Sequence, residues 1–203
     1  MDKLFSQKFA RFISTLFVPP SFTILIFVYY AFKLENNFSK QIILIAVALI
    51  FGFILHIALF ILFRKKGRLV DMDATIKEER TAPFLISCIF YIIGLVILIT
   101  QRIDVISSAF WFCYISNIIV VIAINKFWKI SVHALGSSGA LAALFFVAGP
   151  VGLFFILIPL LVGWSRVKLK CHTVSQVFAG AALGFCSVYL QMFLIVKWLN
   201  YGW

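Results

Sequence analysis

Acidic side chains are scarce in this chain: seven aspartates and glutamates stand against eighteen lysines and arginines, with three histidines in 203 residues. Charged residues of both signs make up 12%, about half the share of a soluble domain. So little charge cannot clothe a water-soluble fold, which excludes a soluble enzyme and a disordered chain. The cysteines are four, Cys88, Cys113, Cys171 and Cys186, three of them inside apolar runs. No Cys-x-x-Cys or Cys/His pair has metal-ligand spacing, so neither a secreted disulfide scaffold nor a zinc site is indicated. What is abundant is apolar surface, 64% of residues with a mean hydropathy of +1.10. Packing 203 residues cannot hide that much, and the expected fold class is an all-α, polytopic transmembrane helix bundle of six to seven spans.

Seven apolar runs carry that expectation: 12–34, 42–63, 84–100, 105–124, 134–148, 151–164 and 177–199. The first is long and lacks a small-residue cleavage pattern, so it is expected to remain as a span. The fifth and sixth are short and are separated by Ala148-Gly149-Pro150-Val151-Gly152, which has strong turn chemistry. The expected arrangement is a tight hairpin; the alternative is one long kinked helix over 134–164. Pro19-Pro20 and Pro159 are expected to kink their helices. No repeat or second domain interrupts the chain, which reads as a single domain over 1–203.

Seven crossings return the N-terminus and the segments 64–83, 125–133 and 165–176 to one side. That side holds fourteen of the eighteen basic residues, leaving Lys33, Lys40, Arg102 and Lys197 opposite. Such asymmetry places the basic side in the cytoplasm, in a cell membrane. Trp128 and Trp164 on that side, and Trp198, Tyr201 and Trp203 on the other, fit interfacial anchors. The net charge of +11 lies in short loops between apolar runs. The expected partners are therefore membrane lipids and a phosphorylated lipid, not nucleic acid.

Chemistry can reside in few places. His56 falls within the second run and reads as a hydrogen-bonded packing residue. His133, in Ser131-Val132-His133, opens the fifth run; His172 follows Ser165-Arg166 with five residues between. A hairpin at 149–150 returns both histidines, Arg166 and the Lys77 to Arg80 segment to the same face. Two imidazoles among arginines suit phosphoryl transfer, which needs positive charge around the transferring group. One neutral imidazole can attack phosphorus and another, protonated, can donate to the departing oxygen. Arginine grips equatorial oxygens with its planar fork.

Ser165-Arg166-x5-His172 resembles the third signature of the type 2 phosphatidic acid phosphatase superfamily, the integral membrane lipid phosphatases. Ser131-Val132-His133 resembles its second signature, Pro-Ser-Gly-His, and Arg80-Thr81-Ala82-Pro83 the end of its first, Lys, six residues, Arg-Pro. The order matches over about residues 65–190, as in a divergent member. The resemblance implies a lipid phosphate or diphosphate phosphatase acting through a phosphohistidine. By it His172 is the nucleophile and His133 the general acid. Arg80 and Arg166 hold phosphate oxygens, with Lys77, Ser131 and Gln176 binding substrate. It implies no metal and no other cofactor.

The chain departs from the family at three positions. Gln176 replaces the aspartate that orients the nucleophile, although an amide can still accept a hydrogen bond and fix the tautomer. Asp73 stands where the family has its lysine, so Lys77 is taken in its place. Val132 replaces the glycine of the second signature. These leave open a catalytically impaired lipid-binding or transport protein on the same fold. A third reading takes Asp71 and Asp73 as magnesium ligands for a prenyl diphosphate. Gly180 and Gly184, four apart, are expected to pack helices closely behind the site, with an acyl-chain groove as the alternative.

Overall fold

A computed structural model describes residues 2–71, 73 and 75–199. Every regular element among the described residues is helical. Five helices are long and apolar enough to cross a membrane, or six if the bent pair formed by the first two helices counts as one. Between 22% and 50% of each long helix's apolar window is buried inside the protein; the rest faces outward, as a bilayer requires.

The first apolar run is broken, not merely kinked. α1 (Asp2–Leu16) and α2 (Pro19–Leu34) meet at 53°. Pro19 and Pro20 occupy the first positions of α2, where a missing N–H costs nothing. α1 packs on α8, with Ala10, Ile13 and Ser14 buried and Phe5, Phe9 and Phe12 exposed. α3 (Phe38–Leu49) and α4 (Leu55–Lys65) form one span interrupted by a π-helical turn, Ile50–Ile54. α5 (Thr81–Thr100) and α6 (Val105–Phe127) follow as single spans.

The expected hairpin is present. α7 (Val132–Ala148) ends at Gly149, whose φ of 64° and ψ of −149° lie where only glycine is comfortable. The chain then turns back so closely that a Cβ on Gly152 would meet the Phe145 backbone at 2.9 Å. The returning arm differs from the expectation: it opens with a 3-10 segment, Gly149–Ile156, before α8 (Leu157–Lys168). Its length, about 34 Å from the two helical rises, exceeds the roughly 26 Å of α7. Pro159 falls in the first turn of α8, where a missing N–H is best tolerated. Counting the hairpin's two arms separately turns the six candidate spans into seven helical segments.

α9 (Val174–Trp198) completes the bundle and runs parallel to α7. A Cβ on Gly180 would lie 2.5 Å from the Ser131 carbonyl oxygen, and one on Gly184 would lie 2.2 Å from that of Leu135. The two glycines thus let the helix backbones touch, as their spacing suggested. Around this pair sits a core rich in rings, with Phe27, Phe110 and Trp111 essentially inaccessible. Cys113 and Cys171 are buried, but Cys186 faces outward. Trp128, Trp164 and Trp198 are exposed near the helix ends; Tyr201 and Trp203 lie outside the described residues.

Candidate active site

The three basic loops assemble on one face. Lys77 Nζ donates to the Lys126 carbonyl (3.2 Å), Arg80 Nη1 to that of Ile130 (3.1 Å), and Lys129 Nζ to that of Cys171 (2.7 Å). On the opposite face Lys40 reaches the Arg102 carbonyl and Glu35 accepts from the Asp104 amide. The loops therefore sort by side as the charge asymmetry implies.

The five-residue gap between Arg166 and His172 has a local cause. α8 ends in a Schellman motif: the Lys170 amide bonds the Val167 carbonyl (2.9 Å) and the Cys171 amide that of Arg166 (3.0 Å). Lys170 takes the left-handed position with φ 56°, usually filled by glycine. The His172 amide also reaches the Arg166 carbonyl (3.3 Å). The helix end thus folds His172 back beside Arg166, and Thr173 then caps α9.

That cap fixes the imidazole. Thr173 Oγ1 accepts from the Gln176 amide (3.3 Å), and Gln176 Oε1 accepts from the Thr173 amide (3.2 Å), a reciprocal capping box. The same Oε1 lies 3.2 Å from His172 Nδ1. A backbone N–H can only donate, so the group facing it is the amide oxygen, and that oxygen can only accept. His172 Nδ1 therefore carries the proton and Nε2 keeps its lone pair. Burial, then the Arg80, Lys129 and Arg166 cations, lower the His172 pKa to about 3 against the opposing bond from Gln176. The ring is neutral at pH 7.

His133, in the first turn of α7, borders the same cavity as His172, Arg80, Asp73 and Arg11. This cavity, of about 590 Å3, continues away from the basic face between apolar walls that include Phe84, Phe110, Ile118 and Val121. Among the site residues expected from the sequence, His133, His172 and Arg80 border the cavity, and Arg166 lies beside them. Arg166 is fully buried. Its Nη1 donates to Ser14 Oγ (2.6 Å) and pairs with Asp73, whereas Nε and Nη2 have no hydrogen-bond partner among the described residues. The edge of the guanidinium formed by Nε and Nη2 is the one that grips an oxyanion bidentately.

Two expected residues go elsewhere. Lys77 is held by the Lys126 carbonyl and Glu78, outside the cavity lining. Ser131 is fully buried as the N-cap of α7, its Oγ accepting from the Ala134 amide (3.4 Å). His56 packs on Tyr91 and Phe90 as foreseen, but neither ring nitrogen completes a hydrogen bond of good geometry.

Asp73 takes an unforeseen part. Its carboxylate bridges Arg166 and Arg11. Burial would raise its pKa, but the two guanidinium groups, Arg166 foremost, outweigh that and hold it at about 2. Asp71 instead accepts from the Thr75 amide and hydroxyl. The two carboxylates are thus committed to different partners. Arg11, Ser14 and Lys129 are further contributors that the sequence did not single out. Lys129 stands four residues before His133, and burial together with Arg80 lowers its pKa. Comparison of the chain with protein-family models, with curated proteins and with solved structures finds no match in any of the three.

Proposed function

We propose that this protein is an integral membrane phosphatase that hydrolyses a lipid phosphate or diphosphate through a phosphohistidine, a divergent relative of the type 2 phosphatidic acid phosphatases. The observation that carries the reading is the buried cation pair. Arg80 and Arg166 lie close enough to repel, and both are at most 3% exposed. Asp73 pairs with Arg166, is shared with Arg11 and, like Asp71, also attracts Arg80. Two buried guanidinium groups this close together form an arrangement suited to recognising a phosphate. An anion bound there would sit beside two imidazoles and above an apolar cavity able to take a hydrocarbon chain.

In this mechanism the phosphate oxygens engage the Nε–Nη2 edge of Arg166, which has no partner among the described residues, and the Arg80 guanidinium. His172 Nε2 attacks phosphorus, forming an N–P bond as the P–O bond to the lipid breaks. His133, as imidazolium, gives its proton to the departing oxygen, the phosphate supplying the counter-charge that this cation needs. Gln176 holds the Nδ1 proton throughout and stabilises the charge that develops on the ring. A water then attacks the phosphohistidine, passing a proton to His133 and releasing inorganic phosphate from Nε2. Positive charge comes from arginine side chains, so the mechanism calls for no metal. By the positive-inside asymmetry the site faces the cytoplasm of a cell membrane, where substrates of the inner leaflet would reach it.

A second reading, a lipid-phosphate-binding or transport protein, has one observation in its favour: Asp73 neutralises part of the cation cluster that catalysis would use. Phosphate release from a panel of lipid phosphates in detergent separates the two. The expected result is release by the parent and at least a thousand-fold less by His172→Ala, with an unchanged thermal midpoint. Equal release by both proteins would refute the phosphatase.

A further inference from the structure

The cavity does not become uniformly apolar beyond the arginines. Deeper in, His56 of α4, Ser87 and Tyr91 of α5, and Tyr114 and Asn117 of α6 all border it. Ser87 and Tyr91 are one turn apart on α5, and Tyr114 and Asn117 are three apart on α6, so each pair shares a helix face. The rings of His56 and Tyr91 are 4.5 Å apart, and those of Tyr91 and Tyr114 are 4.9 Å apart, which makes the group one cluster.

Much of its hydrogen-bonding capacity is unused. His56 is 5% exposed and Ser87 2%. The Phe51 carbonyl of the π-turn interacts with the His56 ring and the Thr23 hydroxyl with Tyr114 Oη, but neither contact has good hydrogen-bond geometry, and Ser87 Oγ has no partner among the described residues. Asn117 Oδ1 by contrast accepts from Ser187 Oγ (2.8 Å). Buried polar atoms left without a well-formed hydrogen bond are costly, so three such side chains around one void point to an occupant. A π-turn immediately before His56 is the kind of irregularity that often accompanies a binding site.

We infer that the deep end of the cavity, with His56 and Ser87 as its recognising groups, hydrogen-bonds an oxygen carried on the apolar part of the lipid. This rests on the phosphate of the same molecule lying at Arg80 and Arg166. Ser87 is seven residues beyond Arg80 on a continuing helix, about 10 Å deeper at 1.5 Å per residue. A ligand anchored by phosphate at Arg80 therefore needs a hydrogen-bonding group a short chain below. An ester carbonyl or a chain hydroxyl meets that need; an unsubstituted alkyl or prenyl chain does not. The subsite would set which lipid phosphates bind, apart from the grip on phosphate itself.

Phosphonates, which cannot release phosphate, separate binding from turnover. The purified full chain in detergent is titrated with dioctanoylglyceryl phosphonate, a sphingosine-type phosphonate bearing a chain hydroxyl, and dodecylphosphonate. One or both oxygen-bearing lipids should bind about tenfold tighter than dodecylphosphonate, the size of one good neutral hydrogen bond. The arm that binds tighter tells carbonyl from hydroxyl. Ser87→Ala and His56→Phe should each remove most of that preference and leave dodecylphosphonate affinity as it was. Their thermal midpoints without lipid should change little, because Ser87 Oγ has no partner among the described residues and His56 only a poorly aligned one. Equal affinity of the parent for all three lipids, or a preference that survives both substitutions, would overturn the subsite alone. Failure of dodecylphosphonate to bind the parent more tightly than Arg166→Gln would overturn the phosphate reading and the subsite with it.

Discussion

Replacing Gln176 by glutamate tests the local geometry of the site. The Gln176 oxygen accepts from His172 Nδ1 at 3.2 Å and from the Thr173 amide at 3.2 Å. Glutamate has the same reach, so both contacts and the capping box survive, and a negative charge in the first turn of α9 is favourable. Aspartate, one methylene shorter, would lose the box. A carboxylate in hydrogen-bonding range raises an imidazole pKa by roughly 1–3 units, or about 1.4–4 kcal/mol in favour of the imidazolium. From about 3, His172 would rise to roughly 4–6 and would still be neutral at pH 7. If about half of the ring's positive charge has developed at the transition state, phosphate release should speed up roughly 3- to 30-fold. Gln176→Leu, which removes the acceptor, should slow it by at least tenfold. Ring 15N chemical shifts of His172 give an independent reading, with the parent expected as the Nδ1–H tautomer. A Nε2–H tautomer, or a Gln176→Glu protein that folds normally yet is no faster, would refute the reasoning.

Asp73 links stability to pH. Its pKa is depressed in the folded protein, so its stabilisation is full above about pH 4 and is lost as pH falls through about 2. The parent's thermal midpoint should fall over that window, and that of Asp73→Asn should change less. At pH 7 Asp73→Asn strands the buried Arg166 cation and should cost about 3–5 kcal/mol, read as a lowered unfolding midpoint; an unchanged midpoint would show that the bridge is not formed. Gly184→Ala places a methyl 2.2 Å from the Leu135 carbonyl oxygen. Separating α7 from α9 should cost about 1–3 kcal/mol or more. The same midpoint measurement checks it, and a midpoint equal to the parent's would show that the helices are not in contact there.

Where the decisive interactions are local, the sequence was informative. Gly149-Pro150 announces a reversal because glycine alone tolerates the required dihedral angles. Ser165-Arg166-x5-His172 encodes a helix end and a cap, both within one short segment. Gly180 and Gly184 mark a close approach because nothing but hydrogen fits against the facing carbonyls. Contacts between distant segments were not legible. Asp73 lies 93 residues from Arg166 and 62 from Arg11, and no periodicity connects them. Lys77 is the expected residue type at a plausible position, but the carbonyl of Lys126 captures it. The break at Phe17–Val18 was visible as a proline pair; that α1 would bend and deliver Arg11 and Ser14 to the arginine cluster was not. Polarity within an apolar run also has no pattern of its own, which is why the unpaired state of His56 emerges only from its surroundings.

The direct seating of α9 on α7 has a mechanical consequence. The Ser131 amide donates to the Gln176 carbonyl (3.3 Å), and Gly180 rests on the next carbonyl in line. The separation of His133 and His172 is thus set by two main chains in contact, with no flexible side chain between them. Arg166 is tied to His172 by the bond from the His172 amide to the Arg166 carbonyl (3.3 Å), and Arg80 to the approach to α7 by the Ile130 carbonyl (3.1 Å). A membrane of different thickness that tilts the outer helices would therefore be expected to move the two rings and the two guanidinium groups together, as one block.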